Sequence, residues 1–397
     1  MDSRSCRYYR KHNDGDDPGG VAVRRVGRVI AAGVAALAVV ACASAAPADP
    51  TELRGVPVAL PAGMSPEVLA VSGDALLIGV RREGPPPGPG VLRRAPDGTV
   101  MQIPTQPSTG YGRTASWYAL TADGTQVLGV GGDRGGAHGN VRWSVWTGTA
   151  AGVAEHTQAF STFGGWGAGD LVGAVLAPTG PALVGSWQSD GAGLDVAVWT
   201  PNGDDWVRRS STGTALASTR ATQGFAISAT GCAGGVLVTG WQVGAAGHAG
   251  QDPVVWRSAG TGGWVRTPLP DPGSAGTAVA SNGDAAGCAV AGRVDGMVAL
   301  WRLTDERWTR VPQVPPIAVG DRDPLPAPLL VDGHLEQFAS DHGALTMLDV
   351  DESGVTRHVV AGATGPVTAA VVVGSTAYVL AGDPVRLWQV GLPARRG

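Results

Sequence analysis

Lysine is almost absent: the 397-residue chain has a single one, Lys11. Because Lys11 precedes the first apolar run, the folded part can hold no P-loop lysine, no Schiff-base lysine and no Ser-Lys dyad. Charge is also sparse, with a net of −4 and no basic tract beyond the N-terminal region, which argues against nucleic acid as a partner. There is no Gly-x-Ser-x-Gly elbow, no Cys-x-x-Cys and no His-Glu-x-x-His, so the common hydrolase, redox and zinc signatures are missing. Glycine-rich stretches such as 129–136 join strand patterns and open no helix, which excludes the usual nucleotide-phosphate cradle. No cofactor is expected.

What the chain has is glycine (62), proline (29) and tryptophan (13), in a sequence that is 43% hydrophobic. Many short strands joined by Gly/Pro turns satisfy both the turn content and the apolar content. Near the start, Arg24, Arg25 and Arg28 precede an apolar run of 13 residues, Val29–Ala41. That run is shorter than the roughly 20 residues needed to span a bilayer, but it suits a secretory signal. It ends in Val39-Val40-Ala41-Cys42, which resembles the lipobox of bacterial lipoproteins. The resemblance implies a signal segment with lipobox over 1–42, removed up to Cys42, which is lipidated and becomes the mature N-terminus, then a tether over 43–50, and a domain over 51–397 held at the outer face of the cell membrane. A plain signal peptide cleaved near Ala46 is the alternative.

From there on the chain repeats. A turn glycine between two apolar strands recurs at Gly73, Gly124, Gly180, Gly231, Gly283, Gly333 and Gly374. A large apolar residue on a later strand recurs at Leu92, Trp146, Trp199, Trp256, Trp301, Leu348 and Trp388, at spacings of 40–57 residues. Four short strands per unit of this length is the signature of a β-propeller blade. The expectation is an all-β, seven-bladed β-propeller of four-stranded blades, with the anchors packed between blades. The last unit lacks a fourth strand, and Gly55–Leu60, which reads like the fourth strands elsewhere, should complete it.

The third-to-fourth-strand hairpin is most regular at Asp195–Trp206, where Thr200-Pro201-Asn202-Gly203-Asp204-Asp205-Trp206 resembles the Asp box of sialidase-like propellers. Pro96–Val100 and Ser258–Trp264 are eroded copies. In that family the box is structural, and the catalytic set is an Arg cluster, a Tyr nucleophile with a Glu, and an acidic proton donor. No matching motif surrounds the five tyrosines, so no catalytic residue is carried over.

Cys232 and Cys288 fall near the same end of adjacent blades, which in an oxidising compartment suggests a disulfide; two buried thiols are the alternative. His334, Glu336, Asp341 and His342 look like metal ligands, but the two histidines bracket one strand, some 20 Å apart at about 3.3 Å per residue. No metal site is expected. The long second-to-third-strand loops share a face with the blade connections and gather Arg81, Tyr111, Arg113, Arg134, Trp166, Trp187, Gln188, Asp190, Trp241, Gln242 and His248. Loops on a rigid scaffold commonly carry function. The paired Trp187-Gln188 and Trp241-Gln242 should bring two indoles together there. The leading expectation is a non-catalytic binding module for a glycan or an envelope protein. A diverged sialidase-like glycoside hydrolase and a structural part of an envelope assembly are the alternatives.

Overall fold

Short apolar stretches that alternate in and out and close on left-handed glycines give an almost entirely β chain. The computed structural model describes residues 51–393 apart from 136–138, 245–247, 260–262 and 284–286. The apolar run, Cys42 and the 43–50 tether lie outside the described residues.

Strand β1 (Thr51–Pro57) comes first. The next sheet is β2 (Met64–Ser72), β3 (Ala75–Arg82), β4 (Gly88–Arg94) and β5 (Val100–Ile103). After β6 (Thr105–Gln106) and the one-turn helix α1 (Gly110–Thr114) come β7 (Ser116–Ala122), β8 (Val127–Arg134), β9 (Val141–Thr149) and β10 (Gly152–His156), with β6 added parallel to β10. Helix α2 (Phe160–Phe163) leads into β11 (Ala168–Ala177), β12 (Gly180–Gln188), β13 (Leu194–Asn202) and β14 (Asp205–Arg209). A fourth sheet holds β15 (Gln223–Cys232), β16 (Gly235–Val243), β17 (Asp252–Ala259) and β18 (Gly263–Pro268). A fifth holds β19 (Gly276–Gly283), β20 (Cys288–Val294), β21 (Met297–Thr304) and β22 (Arg307–Arg310). The chain then forms β23 (Leu329–Val331), β24 (His334–Asp341), β25 (Ala344–Asp351), β26 (Gly354–Thr364), β27 (Val367–Val373), β28 (Thr376–Ala381) and β29 (Arg386–Gly391).

First strands of successive sheets lie side by side in chain order, β2 by β7, then β11, β15, β19, β23 and β27. The last returns to the first, since β27 packs beside β2. Closure runs through β1. Its second half, Gly55–Pro57, pairs antiparallel with Trp388–Val390, and the Val58 amide donates to Leu387 at 2.8 Å, as expected for the missing strand. Its first half does something unforeseen. Thr51–Arg54 pairs parallel with His358–Ala361, so β1 stitches β26 to β29 and makes one eight-stranded sheet. Two open edges are covered by one strand. Gly55 sits where the strand passes from one partner to the other, and a Cβ there would lie 3.1 Å from the Ala361 carbonyl oxygen.

Each second strand is buried on both faces, and alternation sends its side chains to two neighbours. Leu76, Ile78 and Val80 pack with Leu380 and Leu387, whereas Leu77 packs with Trp117 and Trp146. All seven anchors are buried on third strands. One landmark moves. Gly231 lies inside β15, and the left-handed turn is Ala233-Gly234 (φ 46° and 77°), directly after Cys232. Cys232 and Cys288 are disulfide-bonded, with Cα atoms 5.8 Å apart, tying the fourth sheet to the fifth. A loop closed over a separation of 56 residues is worth about 4 kcal/mol in the chain-entropy account.

Deleting residues 51–58 should lower the melting temperature by roughly 10 °C or more, because two sheet edges open at about 2–4 °C per kcal/mol lost. Deleting 43–50 should leave it nearly unchanged. Equal melting of the two truncations in a calorimetric scan would show that β1 does not close the ring.

Candidate functional site

The second-to-third-strand loops and the connectors between sheets meet at one end of the molecule. Ser189 donates to the Ser218 carbonyl, the His248 Nε2 lies 3.0 Å from the Gly273 oxygen, and the Ser274 amide donates to Asp295. The third-strand tryptophans fix these connectors. The Nε1 of Trp199 donates to Thr162, that of Trp256 to Ala215 and that of Trp301 to Pro270, each a carbonyl in the connector that enters the same sheet. A buried indole thus finds its one partner on an otherwise orphaned carbonyl.

Across the hairpin from four of the five anchor tryptophans stands a charged residue of the fourth strand: Glu155 opposite Trp146, Arg208 opposite Trp199, Arg266 opposite Trp256 and Arg310 opposite Trp301, whereas Trp388 faces Pro57. Two of them also hold connectors. Glu155 accepts from the amides of Ser108 and Thr109 and from the Thr109 hydroxyl, and Arg310 donates to the Asp271 carbonyl. Arg266 stays on Trp256, its pKa pulled down by burial. Arg208 is different. It is exposed, turned onto the Trp187 ring at 4.6 Å, and its guanidinium has no ion pair or hydrogen bond among the described residues.

Arg208 and Trp187 form one wall of a cleft of about 640 Å³ that also holds Trp166, Gln188, Asp190 and Thr212. Trp187 is set by an edge contact on Trp199, 6.2 Å between centroids. Trp166 is 94% exposed at the tip of the connector. Gly165 and Gly167 on either side of it are left-handed (φ 89° and 94°), and the Gly167 carbonyl accepts from the Gln188 amide at 2.7 Å. A Cβ on Gly167 would stand 3.1 Å from Trp187 Nε1, so only glycine brings the Trp166 loop this close. Asp190 accepts from Thr212, while Asp195 is buried and accepts from the Ser218 amide.

The cleft unites Trp166, Trp187, Gln188 and Asp190, and the structure puts the other predicted residues elsewhere. Trp241 stacks on Phe225 at 4.0 Å, and Gln242 is buried. The two Trp-Gln pairs are one residue out of register. Leu183 pairs with Trp199 but Val238 with Trp256, so Trp187 corresponds to Gln242, not to Trp241. With a period of two, that slip sends the indoles to opposite faces. Trp187 packs with Leu128 and Phe163 of the preceding units, and Trp241 shares its face with Thr239, which donates to Val279 of the following sheet. The two indoles are therefore not brought together. Tyr111 lines a separate hollow under α1 and α2, and Arg134 a recess adjoining it. Arg81 donates to Ser116 and Thr114 across a sheet boundary, and Arg113 lies exposed at the end of α1.

Among the described residues no group of three or more His, Cys, Asp or Glu could hold a metal, and His334 and His342 do stand at opposite ends of β24. In the hairpin that resembles an Asp box, a turn at Gly203-Asp204 joins the strands, and neither Asp204 nor Asp205 has a side-chain hydrogen bond among the described residues. The Asx turns form at Asp97 and Asp351 instead.

One group passed unnoticed in the sequence. Six of the seven first strands carry a bulge, at Glu67, Tyr118, Val172, Ile227, Val279 and Thr368. Glu67 accepts from the Trp117 amide at 2.7 Å. Burial raises its pKa, against the opposing pull of the Trp117 amide, the Ser116 hydroxyl and Arg81. A bulge is a one-residue insertion visible only against a partner strand, so the sequence carries no signal for it.

No family model matches the sequence, and comparison with curated proteins found no match. Solved structures do match. The chain is similar to virginiamycin B lyase from Staphylococcus aureus, in a catalytically inactive form with quinupristin, at a TM-score of 0.55 and 12% identity over 86% of this chain and 100% of that one. It is similar to a puromycin-hydrolyzing peptidase from Mycobacterium tuberculosis (TM-score 0.54, 14% identity, 87% of this chain and 56% of that one). The β-propeller domain of the Trilobed protease from Pyrococcus furiosus gives 0.50 at 9% identity over 85% and 97%. At such identities the likeness concerns the fold, and the fold is a β-propeller.

Glu67 makes a pH prediction. A carboxyl whose pKa is raised on folding holds its proton more tightly in the native state, so ionising it destabilises the fold. The penalty is absent below the unfolded glutamate value of about 4.3 and complete above the raised native value. Denaturant midpoints should therefore fall as pH rises from about 4 through that window, and Glu67→Gln should flatten the fall. An unchanged slope in the variant would refute the assignment.

Proposed function

We propose that the protein is an exported, lipid-anchored, non-catalytic binding module. In this reading it is a seven-bladed propeller held at the outer face of the cell membrane through Cys42, and it takes a glycan in the Trp166–Trp187 cleft. One observation carries the glycan: a 94% exposed tryptophan beside a second that is fixed under a guanidinium. Pyranose rings offer an apolar face to indoles and hydroxyls to donors and acceptors, and the cleft supplies both kinds in Arg208, Gln188, Asp190 and Thr212. Its volume suits a small ligand better than a protein surface. The blade count is supported by the seven first strands that neighbour one another in a closed order, with the eight-stranded sheet read as two blades sharing β1. The anchor rests on the short apolar run and the Val-Val-Ala-Cys that ends it.

A second reading, a diverged sialidase-like hydrolase, is favoured by Glu67, whose pKa burial raises and which accepts from the amide of Trp117, the sequence neighbour of Tyr118. On the sialidase pattern it would need, besides a Tyr and its Glu, an acidic proton donor. Release of reducing ends from a captured glycan would be its mark.

On a glycan array probed with the full-length protein, Trp166→Ala should weaken capture by roughly tenfold, about 1.4 kcal/mol, with the melting temperature unchanged. Capture equal to wild type would rule out the cleft. Labelling with a radioactive fatty acid should mark the wild type and leave Cys42→Ala unlabelled; equal label in both would remove the anchor.

A further inference from the structure

A second hollow, of about 480 Å³, opens between α1, α2 and the outer strands of the β7–β10 sheet. Its walls are Tyr111, Trp143, Phe160 and Phe163, and its polar floor is Arg142, with His156 and Gln158 to one side. The cleft that holds Trp166 and Trp187 shares none of these residues. Phe160 is 59% exposed and Tyr111 39%, unusual for rings lining a concavity.

The charge decides what fits. The Arg142 guanidinium lies 4.5 Å from the Phe160 ring centroid, and among the described residues it has no ion pair and no hydrogen bond. Each nearby carboxylate is occupied or apart. Asp133, directly opposite Arg142 in the strand pair, accepts from the Thr114 hydroxyl. Glu155 is committed to three donors of the α1 connector. Asp170 lines the adjoining recess with Arg134, and Arg142 reaches that recess too. His156 and Gln158 face each other at 2.6 Å between Nδ1 and Nε2. An arginine stacked on an aromatic ring keeps its fork of donors for a planar anion, and the half-buried Arg142 has only water to give up when one arrives.

We propose that this hollow binds an apolar organic acid, a flat ring system bearing a single carboxylate, with Arg142 as the anion anchor and Tyr111, Phe160 and Phe163 as the walls. The site is independent of the glycan cleft and stands or falls without it.

The probe is 2-naphthoate, compared with 2-naphthamide, which keeps the rings and removes the charge, each titrated calorimetrically into the full chain. Wild type should bind one equivalent of naphthoate and prefer it to naphthamide by roughly tenfold or more, as a charge-assisted bidentate contact allows. Arg142→Met, which keeps a side chain over Phe160, should abolish that preference while naphthamide binding changes less than about twofold. Arg142→Lys should retain part of the preference, and Phe160→Ala should weaken both ligands alike. Because Arg142→Met could disturb α2, Arg142→Lys is read alongside it: loss of the preference in Arg142→Met with partial retention in Arg142→Lys, at unchanged melting in both, supports the anchor. The proposal is overturned by a wild type that binds naphthoate no better than naphthamide, or by a preference that survives Arg142→Met.

Discussion

A four-stranded sheet with two apolar faces cannot stand in water alone, and in this protein a buried third-strand tryptophan makes the incoming connector part of its cover. The ring carbons of Trp199, Trp256 and Trp301 fill the space between sheets while the single N–H of each is spent on a connector carbonyl. Removing one such ring would open a cavity and orphan the carbonyl together, a loss on the order of 3–5 kcal/mol. The path of the chain from sheet to sheet is therefore fixed by the same side chains that fill the core.

That arrangement also explains where function can sit. The fourth-strand residue across from each tryptophan can reinforce the connector, as Glu155 and Arg310 do. At Trp199 and Trp256 the indole alone holds the connector; Arg266 stays on its own indole, whereas Arg208 is released. Arg208 then turns onto Trp187 and faces the cleft, and the Trp166 loop settles beside it on two left-handed glycines. The hollow beside Arg142 arises in another way: Glu155 pins α1, α2 closes the far side, and the guanidinium between them is left to stack on Phe160.

Ring closure is handled by two unlike devices. At β1 a strand serves two partners in opposite senses, which leaves neither β26 nor β29 with an open edge. Between the fourth and fifth sheets a disulfide holds the end of β15 to the start of β20. The first adds hydrogen bonds to the folded state, and the second removes freedom from the unfolded one.

The sequence by itself determined the class of fold, the order of the units, the buried anchors and a closing role for Gly55–Leu60, of which Gly55–Pro57 form the ladder, and it suggested the cysteine pair. These rest on local periodicity, turn chemistry and spacing, which a chain displays residue by residue. Only the tertiary structure decided which loop-face residues meet. Trp187 and Trp241 look equivalent in sequence, yet a one-residue difference in pairing register sends them to opposite faces. Likewise the bulge at Glu67, the parallel pairing of Thr51–Arg54 and the freedom of Arg208 and Arg142 depend on partners far along the chain. Register and partnership are properties of two strands at once, and a single strand's sequence does not contain them.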